Sequence, residues 1–98
     1  MSTRDEAVVR SLALPLTQAV LHELAVRGPV LRGELVAATG ASPMAVSRHL
    51  ADLEGLGLVV ASVPAGQRSG RRVEYAADRA AVASAVELLR GYLLGVGV

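Results

Sequence analysis

The sequence predicts a mostly α-helical fold with one small β-hairpin. Three observations carry this prediction: apolar residues recur at helical spacing over residues 15–53, the spacing becomes that of strands over 58–76, and helical spacing returns after Asp78. The expected order is helix, helix, short helix, turn, helix, two strands and helix. A chain of 98 residues without an internal repeat has the size of one domain, expected over residues 1–98.

The composition predicts a protein that binds a partner subunit and does not span a membrane. Hydrophobic residues make up 52% of the chain and the mean hydropathy is +0.45, which is high for a soluble monomer. Uncharged stretches such as residues 55–67 are shorter than the ~20 apolar residues that a spanning helix needs. Arg4, Asp5 and Glu6 interrupt any apolar leader, so a cytoplasmic protein is expected. The excess apolar surface is expected to contact a second copy.

The N-terminal third is expected to contain two helices. Residues 4–14 form a short first helix. Pro15 suits the first turn of the second helix, because that position needs no N–H. Apolar side chains then recur at helical spacing up to Leu24, and Gly28-Pro29 ends the helix.

The central segment has the elements of a helix-turn-helix. A short helix over residues 33–39 is closed by Gly40, and Ser42 and Pro43 suit the N-cap and the first position of a second helix that ends near residues 55–57. A turn of this kind directs the second helix outward, so that its N-terminal half can enter the major groove of DNA. The stripe expected on the inner side of this helix comprises Val46, Leu50 and Leu53.

A hairpin follows the second helix of this pair. Residues 58–63 and 73–76 have the composition of strands. The loop between them, residues 64–72, contains glycines, three arginines and no acidic residue. A loop of this composition is suited to contact phosphate groups.

The last helix is expected to extend over residues 78–94, with Asp78 as its cap. Its apolar residues form two neighbouring stripes, a face wider than one small core requires. The terminal helices, residues 4–14 and 78–94, are therefore expected to form a homodimer interface. The last helix is expected to contribute Val82, Ala85, Leu89, Tyr92 and Leu93.

Residues 33–53, GELVAATGASPMAVSRHLADL, resemble the helix-turn-helix of the ArsR-type repressors. The resemblance continues through residues 57–59, GLV, and through residues 70–75, GRRVEY, which resemble the wing of these proteins. The SRHL segment is shared with the MarR and IclR types, whereas the chain length, the wing sequence and the single terminal helix favour the ArsR type. The resemblance covers nearly the whole chain and implies a winged helix-turn-helix that binds DNA.

The resemblance implies a homodimeric repressor that occupies an inverted-repeat operator in double-stranded DNA and is displaced by an unidentified small-molecule or protein effector. Pro43, Met44 and Ala45 stand where the family more often has polar residues, so Ser47 and Arg48 are the main candidates for contacts with base edges. The residues expected to contact DNA are Ser42, Pro43, Met44, Ser47, Arg48, Gln67, Arg68, Ser69, Arg71 and Arg72.

The metal site linked with the family is not expected in this chain. The chain has no cysteine, whereas the resemblance would place thiolate ligands near Val36 and Ala38. The family's second type of site uses carboxylates and histidines on the last helix. Asp78 and Glu87 occur there, but no histidine follows His49. Neither a metal nor another cofactor is therefore expected.

Two other hypotheses remain open. One is a winged-helix adaptor that binds protein, and the other is an architectural or recombination-directing DNA-binding factor of a mobile element. Residues 47–49, SRH, and the arginines of the hairpin loop disfavour the adaptor, which an absence of salt-sensitive DNA binding would support. Cooperative binding at adjacent sites with bending would support the architectural factor. An enzyme is not expected, because the sequence has no phosphate-binding loop and no nucleophile–base set.

Overall fold

The computed structural model describes residues 1–96; residues 97 and 98 of the expected domain 1–98 lie outside the described residues. It confirms a mostly α-helical fold with a small antiparallel sheet, as in a winged helix-turn-helix. The helices are α1 (Thr3–Leu12), α2 (Pro15–Arg27), α3 (Arg32–Thr39), α4 (Pro43–Gly55) and α5 (Arg79–Leu94). The strands are β1 (Val30–Leu31), β2 (Val59–Ala61) and β3 (Glu74–Ala77). Within residues 1–96, no helix combines the length and the apolar character needed to cross a membrane.

The first helix is shorter than the expected range 4–14, because α1 ends at Leu12. A proline ring drives the residue before it to extended backbone, and Leu14 adopts φ −81° and ψ 127° ahead of Pro15. The Gln18 side chain donates to the Leu12 carbonyl at 2.8 Å, which satisfies one of the carbonyls left free at the end of α1. The boundary between α1 and α2 is thus set by one proline and one side-chain hydrogen bond.

The sheet has three strands instead of the expected two, in the order β1-β3-β2. β1 consists of Val30 and Leu31, which pair in antiparallel register with Tyr75 and Glu74. A strand of two residues is too short to show the alternation by which strands are recognised in a sequence. Because β1 leads directly into α3, it attaches the start of the helix-turn-helix to the sheet.

The turn between α3 and α4 sets the direction of α4. Gly40 has φ 72°, a left-handed conformation that suits glycine, and its N–H donates to the Val36 carbonyl at 2.9 Å. Ser42 caps α4, because its Oγ accepts the Ala45 N–H at 3.1 Å, and Pro43 occupies the first position of the helix. The cap and the first residue predicted for this helix are confirmed.

The inner side of α4 lies at the centre of the core. Val46, Leu50 and Leu53 are buried, and Leu50 is only 1% exposed. All three belong to one apolar cluster with buried residues of α1, α2, α3, the sheet and α5. α4 contacts α2, α3 and β2 directly. α4 is therefore held in the core along the stripe that the sequence predicts.

The residues expected at a dimer interface differ in their exposure. α5 packs against α1, and Ala85 is only 5% exposed within the core cluster. The structure thus places Ala85 in the core of the chain itself, away from the surface that the interface expectation requires. Val82 and Leu89 lie half-buried at the edge of the core. Tyr92 and Leu93 are 53% and 69% exposed.

Replacing a buried residue of α4 should lower stability far more than replacing an exposed one. Leu50→Ala should reduce the free energy of unfolding by about 2–5 kcal/mol, because it removes buried methyl groups and leaves a cavity. Met44→Ala is the matched control on the same helix, since Met44 is 80% exposed, and it should change stability by less than about 0.5 kcal/mol. Chemical denaturation followed by circular dichroism measures both. Equal decreases in stability would contradict the assignment of the inner and outer sides of α4.

Candidate nucleic-acid interface

The outer side of α4 is exposed along its N-terminal half. Ser42, Pro43 and Met44 begin this side, and Arg48 lies exposed about one turn further along the helix. Ser47 beside it is half-buried. Arg48 takes part in none of the ion pairs formed within residues 1–96. Its guanidinium is therefore available to an anionic or hydrogen-bonding partner.

Arg32 also belongs to this surface, although the sequence pattern does not single it out. Its Nη1 donates to Ser47 Oγ at 2.9 Å, so the guanidinium lies against the outer side of α4. A positive side chain in the first turn of a helix is opposed by the helix dipole. α3 begins at Arg32, so this arginine does not stabilise its own helix. An arginine at such a position is a sequence signal for a contact outside α3.

The wing loop, residues 64–72, has an exposed tip. The Arg71 N–H donates to the Arg68 carbonyl at 3.0 Å, which closes a turn within the loop. Neither Arg71 nor Arg72 forms an ion pair with another residue of the described range 1–96. The exposed side chains that were predicted to contact DNA are Gln67, Ser69, Arg71 and Arg72.

Arg68 is placed differently from the other arginines of the wing loop. Its Nη2 and Nη1 lie 2.6 and 3.1 Å from the two carboxylate oxygens of Glu54, in the last turn of α4. The hydrogen bond with Glu54 raises the pKa of the Arg68 guanidinium above its ordinary value, against the opposing effect of burial. The contact with DNA expected for Arg68 therefore competes with an ion pair within the chain.

A shallow depression connects Arg32 to the wing loop. Its volume is about 320 Å³, and Arg32 and Arg71 lie on its wall together with Tyr75 of β3. Because Arg32 also contacts Ser47, the outer side of α4 continues through Arg32 into the wing loop. The chain has a formal charge of only +1, so this concentration of positive charge is local. We call this surface the basic face and define it by Arg32, Ser47, Arg48, Arg71 and Arg72.

The histidines and the acidic residues of α5 have other positions. The His49 ring is hydrogen-bonded through Nδ1 to the Ala45 carbonyl at 2.9 Å, and His22 is exposed. Asp78 caps α5, since its Oδ1 accepts the Ala81 N–H at 3.0 Å. Across residues 1–96, no three histidine, aspartate or glutamate side chains come together as a metal site would require.

Comparison of the sequence with known families gives one match to the central part of the chain. A model of the MarR family matches residues 15–69, which include α2, the helix-turn-helix and the first half of the wing. This range is more than half of the chain. A search of curated protein sequences with the whole chain gives no match.

Solved structures extend the similarity to nearly the whole chain. The cadmium metal-sensor CMTR from Mycobacterium tuberculosis is 34% identical, with a TM-score of 0.61 over 95% of this chain and 91% of its own. The antimony-specific transcriptional repressor AntR is 27% identical, with a TM-score of 0.65 over 91% of this chain and 74% of its own. An ArsR family transcriptional regulator is 22% identical, with a TM-score of 0.70 over 92% of each chain.

Proposed function

The chain belongs to the MarR family, and from this premise we propose that it is a homodimeric, sequence-specific DNA-binding protein that represses transcription. The predicted winged helix-turn-helix of a transcriptional regulator is confirmed. The sequence pattern favoured the ArsR type; the family model that matches is that of the MarR family, and the similar solved structures include an ArsR family regulator. The observation that carries the proposal is the basic face, in which the exposed side of α4 adjoins two arginines of the wing loop that form no ion pair within residues 1–96. We assign this function to one domain over residues 1–98.

We propose that α4 reads the base sequence. Its inner side is held by the core, so its outer N-terminal half can enter a major groove about 12 Å wide. There Arg48 can donate to guanine O6 and N7, and Met44 can contact a thymine methyl group. Because Arg32 donates to Ser47 Oγ, the hydroxyl hydrogen of Ser47 stays available as a donor. Ser42 and Pro43 lie at the helix N-terminus, where backbone N–H groups favour a phosphate.

We propose that the wing loop binds the sugar-phosphate backbone through Arg71 and Arg72, assisted by Gln67 and Ser69. Guanidinium groups bind phosphate through two parallel hydrogen bonds. Arg32 adds a further cation on the other side of the depression. Contacts of this kind fix the register of the protein on the duplex and strengthen binding to every sequence alike.

We propose that α1 and α5, over residues of about 4–14 and 78–94, form the dimer interface. A contiguous apolar patch on a small domain is typical of a contact with another protein. A two-fold dimer would present two copies of α4, and its operator would be an inverted repeat with half-sites about 10 base pairs apart. The residues of α5 that support this interface are Val82, Leu89, Tyr92 and Leu93.

We propose that the signal that releases this protein from DNA is a small molecule or a protein and not a metal ion. CMTR is a cadmium sensor and AntR is antimony-specific, but this chain has no cysteine to bind such soft ions. Among the described residues 1–96, no three histidine, aspartate or glutamate side chains come together either. We also propose that the protein uses no cofactor, has no catalytic activity and acts on DNA in the cytoplasm.

Substitutions in α4 and in the wing loop should affect DNA binding differently. Arg48→Ala should weaken binding to an operator selected from random duplexes by about 1–3 kcal/mol, with little effect on mixed-sequence DNA. Arg71→Ala combined with Arg72→Ala should weaken binding to both DNAs and lower the salt slope by about 0.9 for each phosphate group that is no longer bound. Fluorescence anisotropy on duplexes of about 30 base pairs, which hold two half-sites, measures both quantities.

Arg90→Ala is the control for these variants, because it removes an exposed arginine of α5 outside the basic face and should leave DNA binding unchanged. A native salt slope for the variant lacking Arg71 and Arg72 would contradict the role of the wing loop. If the native chain shows no salt-sensitive DNA binding, the proposed function is wrong and the protein-binding adaptor gains support.

A charge on the apolar end of α5 should dissociate the dimer. Leu93→Glu should give a monomer at micromolar concentration, because a carboxylate would be buried without a partner. Ala83→Glu is the matched control, since it places the same charge at an exposed position of α5, and this variant should remain dimeric. Sedimentation velocity distinguishes the two species. A monomeric mass for the native chain over the same concentrations would rule out this interface.

DNA binding should be insensitive to metal ions and chelators. Zinc, cadmium, arsenite or EDTA should change the affinity for the selected operator by less than about tenfold, because the chain has no cysteine and residues 1–96 hold no cluster of three histidine, aspartate or glutamate side chains. The same anisotropy titration, repeated with each additive, tests this expectation. A larger shift with zinc that EDTA reverses would show that a metal site exists.

A further inference from the structure

We propose that Arg68 is a positioning residue, which holds the wing loop against α4 through Glu54 and does not itself contact DNA. This inference rests on the proposed function, because it assigns Arg68 a role within the DNA interface. It separates Arg68 from Arg71 and Arg72, which the sequence presents as equivalent members of one basic loop. We call the pair of Arg68 and Glu54 the wing clamp.

The side chain of Arg68 joins three parts of the molecule. Two of its nitrogens bind the Glu54 carboxylate at the end of α4. Its Nε donates to the Val63 carbonyl at 2.8 Å, at the base of the same loop. The guanidinium carbon lies 5.8 Å from the centre of the Tyr75 ring in β3. The guanidinium is thus held at three nitrogens and on one of its faces.

The wing loop has few other attachments to the domain. Pairing between the two strands of the hairpin ends near Ser62, whose N–H donates to the Glu74 carbonyl at 2.8 Å. Beyond this point the loop is closed by internal turns such as the one from Arg68 to Arg71. Arg68 is the one residue of 64–72 that is not exposed. The angle between the loop and α4 therefore depends on this side chain.

The wing clamp is not suited to release Arg68 to a phosphate. The side chains of Arg68 and Glu54 are only 26% and 24% exposed. If Arg68 turned towards DNA, the Glu54 carboxylate would stay partly covered, without its partner and close to a polyanion. The two-bond geometry is also the one in which guanidinium and carboxylate bind most strongly. Among the described residues, Arg71 and Arg72 have no acidic partner of this kind.

The salt dependence of binding distinguishes a positioning residue from a phosphate contact. Arg68→Ala should weaken binding of the full chain to a mixed-sequence duplex of about 30 base pairs by about three- to tenfold, because the loop would occupy its binding position part of the time. Its salt slope should stay native, whereas Arg71→Ala should lower the slope by about 0.9 per subunit. An equal decrease in slope for both variants would overturn the proposal.

Glu54→Ala tests the same ion pair by removing its acidic partner. This substitution removes a negative charge, so it would strengthen DNA binding if Arg68 were freed to bind a phosphate. The wing clamp predicts weaker binding instead, by about the factor seen for Arg68→Ala, and a double variant no weaker than either single one. Glu87→Ala controls for the change in charge, because Glu87 is exposed on α5. Native or tighter binding by Glu54→Ala would overturn the proposal.

Arg68→Lys tests whether charge alone is sufficient. Lysine keeps the positive charge but cannot form the two-bond pair with the carboxylate. Arg68→Lys should therefore bind DNA almost as weakly as Arg68→Ala. Full recovery of native affinity by Arg68→Lys would show that the charge contacts DNA, against the proposal.

A measurement without DNA separates this inference from the proposed function. The backbone ¹⁵N order parameters of residues 64–72 should fall in Arg68→Ala and Glu54→Ala and stay native in Glu87→Ala, while thermal melting shows that all three variants are folded. Native order parameters in both Arg68→Ala and Glu54→Ala would show that the wing clamp does not hold the loop. If the native chain binds no DNA, the proposed function is wrong. If it binds DNA but the variants behave as phosphate contacts, this inference alone is wrong.

Discussion

The packing of the inner side of α4 is the constraint on which the rest of the structure depends. Val46, Leu50 and Leu53 are spaced by one turn of helix and lie buried against α2, α3 and β2. Once this stripe is fixed in the core, the opposite side of the helix must face outward. Ser47 and Arg48 are therefore presented outward by the geometry of a helix held along its opposite side.

The position of the wing follows from the same packing. The Leu58 N–H donates to the Leu53 carbonyl at 2.9 Å, so the chain turns back directly at the end of α4. Leu58 and Val59 are buried and carry the core from α4 into β2. The hairpin therefore leaves the core beside the last turn of α4, where Glu54 meets Arg68. One buried stripe thus orients both the helix and the loop of the basic face.

The spacing of residues along the sequence predicts the structural features that depend only on near neighbours in the chain. The stripe of α4 and its cap at Ser42 depend on neighbours within a few residues, and both were predicted. The third strand, the pairing of Arg68 and the burial of Ala85 depend on partners far along the chain: β3, Glu54 and α1. The two apolar stripes of α5 look alike in sequence, but Ala85 is the one residue of this helix that is buried. Arg32 was missed for the same reason, since its contact with Ser47 spans the turn between two helices.

Two groups of arginines can be distinguished, those that bind backbone carbonyls of the chain and those that are available to DNA. The small size of the second group is a reason to expect a dimer. Arg4 and Arg79 donate to backbone carbonyls of other elements and help to hold the fold. Arg48, Arg71 and Arg72 have no acidic partner within residues 1–96. One chain offers a duplex only the arginines of the basic face, and its formal charge is only +1, so a single chain would bind DNA weakly. A dimer doubles these contacts, and the second subunit binds as part of a molecule already held on the DNA. A dimer formed through the apolar end of α5, as proposed above, would therefore strengthen the proposed DNA binding.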